Sequence, residues 1–397
     1  MSRANLVSER LRAVKPSATV ALTDRARELA AGGREVLNLA AGEPDFLTAA
    51  PLRQAATDAM DAGFTHYTAS AGIPELRRAI AAKLRRENGL EVDPAEGVLV
   101  LPGVKQGVAY ACLAFLGPGD ECLCPEPCWV SYRELVTLAG ARYVPVPTRA
   151  EDGFELGAAA LSALVTDQTR MIILNTPTNP TGRVFGPHQL EHVAEVARRH
   201  DLLVLADEIY EHIVFAGHRH LSVAGLPGMA ERTLTLNGFS KAYAMTGWRL
   251  GFAAGPAELI RPLLVLQQHT ATCPVSFVQK AAVVALEEGL SSRQEMVAAF
   301  DRRRRRLLQL LTGIPGLRIL KPQGTFYMWL DVREGGLASA ELAEWLLEKK
   351  GLILTPGDAF GDSGRGFLRL SFAAHDDQLE RAAQLLRESF QELASRP

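Results

Sequence analysis

From about residue 52 to residue 254 the chain alternates amphipathic stretches with short runs that are apolar throughout. Leu52–Ala62, Ile73–Asn88, Val104–Leu116 and Pro187–His200 have helical periodicity. Gly97–Leu101, Glu121–Cys124, Tyr143–Val146, Arg170–Leu174, Leu202–Ala206, Thr233–Leu236 and Leu250–Ala254 read as short strands. A strand apolar on both faces must be covered on both faces. The alternation therefore predicts an α/β unit with a mostly parallel sheet between helices. Pro74 suits the first turn of its helix, where its missing N–H has no intrahelical partner to lose. After residue 254 the pattern changes. A long helical region over 276–311 precedes a strand in GTFYMWLDV, a helix over 338–350, a strand in FLRLSFA and a helix over 375–393. This predicts a smaller α+β domain. With 397 residues, two domains are expected: 49–290 large, 291–397 small, and 1–48 joining the small one. Residues 16–31 form the one helix expected in that first segment.

Composition excludes several classes. Net charge is −2, so no basic excess favours nucleic acid. The first residues lack the apolar core of a signal peptide, and no stretch approaches the ~18 apolar residues of a spanning helix. A cytoplasmic enzyme without a membrane partner is expected. Five cysteines, an odd number in a long chain, argue against a disulfide scaffold. Cys122, Cys124 and Cys128 cluster in ECLCPEPC, but zinc wants four ligands with paired spacing. Cys122 and Cys124 alternate along a strand and should face one side of a buried sheet. His188, Glu191 and His192 match an H-x-x-E-H pattern on a polar helix, with no further ligand indicated. The run Arg302–Arg306 lies in a long helix and points all round it, so it reads as a solvated helix with acidic neighbours. No G-x-G-x-x-G supports a nicotinamide site. No metal is expected.

The polar, Gly- and Pro-rich chemistry falls directly after the strands: PGVKQG, NTPTNPTG, DEIY and NGFSK. In parallel sheets, ligands bind beyond the carboxyl ends of the strands. Lys241 follows one strand by a few residues, among Gly, Ser, Ala, Met and Trp, with no other charge until Arg249. A lysine in an apolar turn loses pKa and becomes a usable amine nucleophile. A lysine for a carbonyl carbon and an arginine for a phosphate are the minimum equipment for holding pyridoxal phosphate as a Schiff base. Asp207, after five apolar residues, is either a helix N-cap or a buried acid needing a cation, such as a pyridinium nitrogen. Tyr210, three residues on, would point the same way on a helical turn; ordinary packing is the alternative. Asn179, between prolines, could offer a rigid amide to a ring oxygen, or simply sit in a turn. Gly103 precedes a helix whose N–H groups could cradle phosphate. Lys105 on that first turn opposes the helix dipole unless an anion sits there. Trp129 is a core residue or a stacking partner for a planar ring. Arg369 is a surface residue of a two-faced strand or a bidentate carboxylate clamp.

With these residues assembled, the chain resembles the class I aminotransferases among the fold-type I pyridoxal-phosphate enzymes. AAGEPDF, HYTASAGIPELR, NPTG, DEIYEH and SKAYAMTGWRLGF carry the resemblance nearly end to end. KPSATV, GVKQ and WVSY resemble the bacterial aspartate aminotransferase subgroup, members of which often accept prephenate. The resemblance implies a seven-stranded large-domain sheet and a role for each matching residue. Lys241 is similar to the Schiff-base lysine and proton-shift base. Asp207 resembles the pyridine-nitrogen partner, and Tyr210 and Asn179 the O3′ ligands. Gly103, Val104, Lys105, Ser240 and Arg249 match phosphate ligands, and Trp129 the stacking aromatic. Tyr67 resembles the tyrosine reaching the neighbouring subunit's phosphate, implying a homodimer with shared sites. Arg369 matches the α-carboxylate arginine, with Gly42 and Asn179 also at the substrate. Thr19 and Lys105 resemble contacts to a distal acidic group. Cys128 and Arg133 depart from the subgroup and should change the entrance near Trp129. Cys273 also departs, and Gly238 offers no hydroxyl near Lys241.

The expected activity is amino transfer between an L-amino acid, aspartate or glutamate, and a 2-oxo acid, with prephenate as a further acceptor. The rival on the same fold is a lyase, decarboxylase or oxidase using the same carbanion chemistry. A sensor domain of a transcription regulator would need a DNA-binding segment, and the first 48 residues hold no helix-turn-helix.

Overall fold

The computed structural model describes residues 6–288 and 290–395; the extreme ends of the first and last expected segments lie outside these. β1 (Leu37–Asn38) follows the helix Ala18–Ala31. The large sheet comprises β2 (Val98–Leu101), β3 (Glu121–Glu126), β4 (Arg142–Pro147), β5 (Thr169–Asn175), β6 (Leu203–Asp207), β7 (Thr233–Gly238) and β8 (Gly251–Ala254). Its seven strands run in the order β2-β8-β7-β6-β5-β3-β4. Only β8 is antiparallel, to both β2 and β7. The expected mostly parallel sheet is therefore present.

Alternate residues of each strand enter different cores. Leu123, Ile172, Leu174, Val204 and Ala206 pack with Leu190, Val193 and Ala197 of the helix Pro187–Arg199. Cys122, Cys124, Met171, Ile173 and Leu205 face the opposite side with Val108, Ala111 and Cys112 of the helix Val104–Phe115. Burying both faces explains the continuous apolar runs. Cys122 and Cys124 do share a side.

A second sheet has β9 (Arg318–Leu320), β10 (Tyr327–Asp331), β12 (Thr355–Pro356) and β13 (Phe367–Ser371), all antiparallel, in the order β12-β13-β10-β9. β1 pairs in parallel with β11 (Leu352–Ile353), which ties the N-terminal segment to this region. Ser371 N–H donates to Leu39 O at 2.8 Å.

Several local expectations change. The helix Ala257–Thr270 was not anticipated; Pro262 lies inside it and interrupts its pattern. The helical region expected over 276–311 is present, as Ser276–Glu288 and Leu290–Leu311, with residue 289 between them outside the described residues. The arginine run has its acidic neighbours: Arg303 with Asp45, Arg304 with Asp301, and Arg306 with Glu380. It is not solvated throughout, since Arg304 is 5% exposed and Arg303 nearly as buried. Glu191 pairs with Arg198, and His192 Nδ1 lies 3.1 Å from Leu156 O. Among the described residues, no helix is long and apolar enough to cross a membrane.

Candidate active site

The carboxyl ends of β2, β3, β5, β6 and β7 open on one rim, and β8 begins there because it runs the other way. A cavity of about 450 Å³ lies over this rim. Its wall includes Val104, Lys105, Trp129, Asn179, Asp207, Tyr210, Ser240, Lys241 and Arg249 from the large sheet's loops. Thr19 and Gly42 come from the N-terminal segment, and Arg369 from β13. Twelve of the residues singled out in the sequence thus meet in one place. Gly103 borders it: at φ +90° it caps the helix Val104–Phe115, and an added Cβ would lie 2.5 Å from Arg249 Nη2. Tyr67 is elsewhere, 85% exposed on a loop.

Lys241 lies in the short helix that follows β7, and its amine donates to Gly42 O. Burial pushes its pKa down to about 8, with the positive charges of Arg369 and Arg249 adding to the fall and Glu43 and Asp207 opposing it. Gly238 needs no hydroxyl at its position, because it packs where a Cβ would lie 2.7 Å from Gly251 Cα.

Asp207 ends β6 and is 3% exposed. Its Oδ2 accepts from Tyr132 O–H at 2.7 Å and its Oδ1 from Ile209 N–H at 3.2 Å. Burial pushes its carboxyl up to about 6, against the pull of these bonds. Asn175, paired with Asp207 across the two strands, donates its Nδ2 to Asp207 O at 2.9 Å and receives Asn179 N–H at 2.9 Å. The hydroxyl oxygens of Tyr210 and Tyr327 lie 3.0 Å apart.

Arg369 is 2% exposed. Nη1 donates to Asn179 Oδ1 at 2.9 Å and Nη2 to Ala40 O at 2.7 Å, while Nε, though buried, has no partner. The guanidinium stacks on Tyr327 and Phe360, 4.3 and 4.9 Å from the ring centres. Every residue of β13 is buried, so a surface arginine on a two-faced strand is ruled out here. Asn179 gives its carbonyl to Arg369, which leaves its NH₂ as the group to offer the cavity.

Cys128 and Arg133 do not line this cavity, contrary to the expected change at the entrance. Arg133 pairs with Glu126 at 2.9 Å, and Cys128 Sγ lies 3.2 Å from the Tyr143 hydroxyl. Cys273 is on the loop before Ser276, also outside it. Conversely, Tyr132, Asn175 and Tyr327 line the cavity, although none was singled out as a site residue, Tyr132 and Asn175 lying unremarked within WVSY and NTPTNPTG. Asn175 follows an apolar strand as Asp207 does, and that signal could have found it. The two tyrosines are placed by tertiary packing alone.

The charges test which group fits. Among the described residues, Asp207, Arg249 and Arg369 form no ion pair. A buried carboxyl without a cation, two arginines without anions and an amine of lowered pKa share one cavity. Pyridoxal phosphate supplies the missing partners: a basic ring nitrogen, a phosphate and an aldehyde. The free carboxylate of an amino acid suits Arg369. The residues present fit the cofactor.

Relatives agree. The family model for aminotransferase class I and II matches residues 34–386. An aspartate aminotransferase of Pyrococcus abyssi is 43% identical, covering 95% of this chain and 96% of its own. An aspartate/prephenate aminotransferase of Cereibacter sphaeroides is 44% identical, with 95% and 96% covered. The Thermus thermophilus aspartate aminotransferase, solved with maleate, is 40% identical with a TM-score of 0.92, covering 96% of this chain and 99% of that one. The chain belongs to the class I and II aminotransferases, pyridoxal-phosphate-dependent transaminases of fold type I.

Proposed function

We propose that this transaminase moves the amino group of aspartate or glutamate to a 2-oxo acid and also accepts prephenate. The observation that carries the reading is the cavity itself: Lys241, Asp207 and Arg249 face Arg369, with Lys105 and Thr19 on the same wall. Aspartate and aspartate/prephenate activities named for two relatives support it.

The cofactor, when bound, draws electrons away from the substrate's Cα. Asp207 ionises to hold the ring nitrogen protonated, and Tyr210 and Asn179 donate to the ring oxygen. Trp129 stacks on the ring. Gly103, Val104, Lys105, Ser240 and Arg249 hold the phosphate. Arg369 grips the α-carboxylate, with Gly42 and Asn179 beside it. A neutral Lys241 amine would be the base that takes the Cα proton and the acid that gives it back at the cofactor's aldehyde carbon. Lys105 and Thr19 receive the distal carboxylate.

Tyr67 is read as completing the partner's phosphate site, which makes the working unit a homodimer. Its exposure in a single chain supports this. Residues 49–290 are taken as the large domain, 291–397 as the small one and 1–48 as joining the latter. The enzyme is placed in the cytoplasm.

The test is a panel of amino donors against 2-oxoglutarate and oxaloacetate, with prephenate as a further acceptor. Lys241→Ala should abolish transfer while circular dichroism stays unchanged; near wild-type turnover would end this reading. Steady oxo-acid release without any acceptor would favour the lyase or oxidase alternative.

A further inference from the structure

We propose that Tyr132 is a positioning residue for the cofactor site: its phenol holds the Asp207 carboxylate ionised and aimed into the cavity, and so sets the pH range of cofactor uptake. The inference rests on the reading of Asp207 as the ring-nitrogen partner.

Tyr132 is fully buried on the helix Ser131–Leu138 and lies between two cofactor-facing residues. Its ring meets Trp129 edge-on, with centroids 5.2 Å apart and planes at 85°. Its hydroxyl donates to Asp207 Oδ2 at 2.7 Å, the length of a bond to a charged acceptor. The other oxygen receives only Ile209 N–H, at 3.2 Å. Asn175 fixes the Asp207 backbone carbonyl and does not touch the carboxylate.

The charges around Asp207 do not replace this bond. Glu208 opposes its ionisation, and Lys241 favours it as the weakest of the main influences. Tyr210 faces it as a neutral phenol, burial having pushed that group up. Behind Tyr132 lie the thiols of Cys124 and Cys128; burial pushes Cys124 up, so it is neutral. The Tyr132 hydroxyl is the largest influence holding the carboxyl down. A phenylalanine would support Trp129 equally well, so the hydroxyl is the part with a distinct effect.

Tyr132→Phe keeps the ring and removes the donor. Pyridoxal phosphate is titrated into the apoprotein from about pH 5 to 8, a window around the carboxyl pKa of about 6. At about pH 5 the affinity should fall roughly tenfold, the factor carried by a one-unit rise of the carboxyl, and at about pH 7 only about twofold. The pH below which affinity is lost should rise by about one unit. Apoprotein melting gives a second readout. A carboxyl whose folded pKa exceeds its unfolded value of 3.8 costs stability above the folded pKa, and the cost fades as pH falls. Tyr132→Phe should therefore deepen the apoprotein's loss of stability between about pH 5 and 8.

Asp207→Asn is measured alongside. If it binds cofactor as tightly as wild type, the reading beneath has failed. If it binds weakly while Tyr132→Phe keeps wild-type affinity and pH midpoint, the proposal is overturned. A uniform loss with no shift of midpoint also overturns it, because that marks packing alone. In the Asp207→Asn background, Tyr132→Phe should add nothing to the midpoint. If Tyr132→Phe does not fold, 3-fluorotyrosine at position 132, a stronger donor of nearly the same shape, should move the midpoint down; no movement refutes the proposal.

Discussion

Lys241 and Asp207 show how burial prepares a site. Holding Asp207 charged in the apoprotein costs roughly 3 kcal/mol, from a rise of about two pH units. On the proposed reading, that cost is relieved by the protonated ring nitrogen. For Lys241 the direction is reversed: burial favours the neutral amine, whose pKa is about 8. Capture of pyridoxal phosphate by the apoprotein, followed as borohydride-fixed label at Lys241, should quicken about tenfold per pH unit below that value and level off above it. A rate flat across the range would show that the amine is already neutral at neutral pH. Lys105 lies over the Trp129 ring at 4.9 Å and has its pKa lowered by burial and by Arg249. Lys105→Ala should reduce kcat/KM for aspartate and glutamate about tenfold or more, and less for alanine or phenylalanine. An equal loss for every donor would assign Lys105 to the phosphate alone.

At the scale of elements, the loop after β2 is the most constrained. Gly103 has φ +90° and the Arg249 guanidinium against its missing Cβ. Gly103→Ala combines backbone strain of about 1–2 kcal/mol with displacement of that arginine. Cofactor affinity should fall more than apoprotein stability; unchanged affinity in a fluorescence titration would refute the phosphate role of this loop. The loop was legible because glycine before a helix has a local meaning, as were the strands, whose two-sided burial writes itself as unbroken apolar runs. Asp207 could be marked because it follows such a run directly, Lys241 because it lies in the apolar turn after one, and Asn179 because prolines flank it. Arg369 was ambiguous: its alternation with Leu368 and Leu370 looks like a two-faced strand, and only the N-terminal segment lying over it shows otherwise. The pair β1 and β11 has two residues in each strand, too few for a pattern. The helix Ala257–Thr270 was hidden by Pro262, which the surrounding contacts override. Tyr132 and Tyr327 gave no local sign, since a phenol's partner is chosen by packing across distant segments.

At the scale of the molecule, the loop bearing Tyr67 is held rigidly although its tip is exposed. Gln279 receives Ile73 N–H at 2.8 Å and donates to Thr68 Oγ1 at 3.0 Å, and Gln267 donates to Ser70 O at 2.5 Å. A fixed loop presenting an exposed tyrosine suits a second subunit. Tyr67→Phe mixed and refolded with Lys241→Ala should give hybrids more active than the average of the two parents. Each hybrid dimer would carry one site free of both changes. Activity equal to that average would argue against shared sites.

The β1–β11 pair and the bond from Arg369 to Ala40 also set an order of events during synthesis. By residue 254 the ribosome has delivered every strand of the large sheet, Lys241 included. The segment around Ala40, made at the outset, must wait for residues 352–371 before β1 can pair and Ala40 O can receive Arg369. For that interval the nascent chain owns Lys241 and lacks Arg369, so on the proposed reading the grip on the carboxylate common to every amino acid is the last part of the site to form.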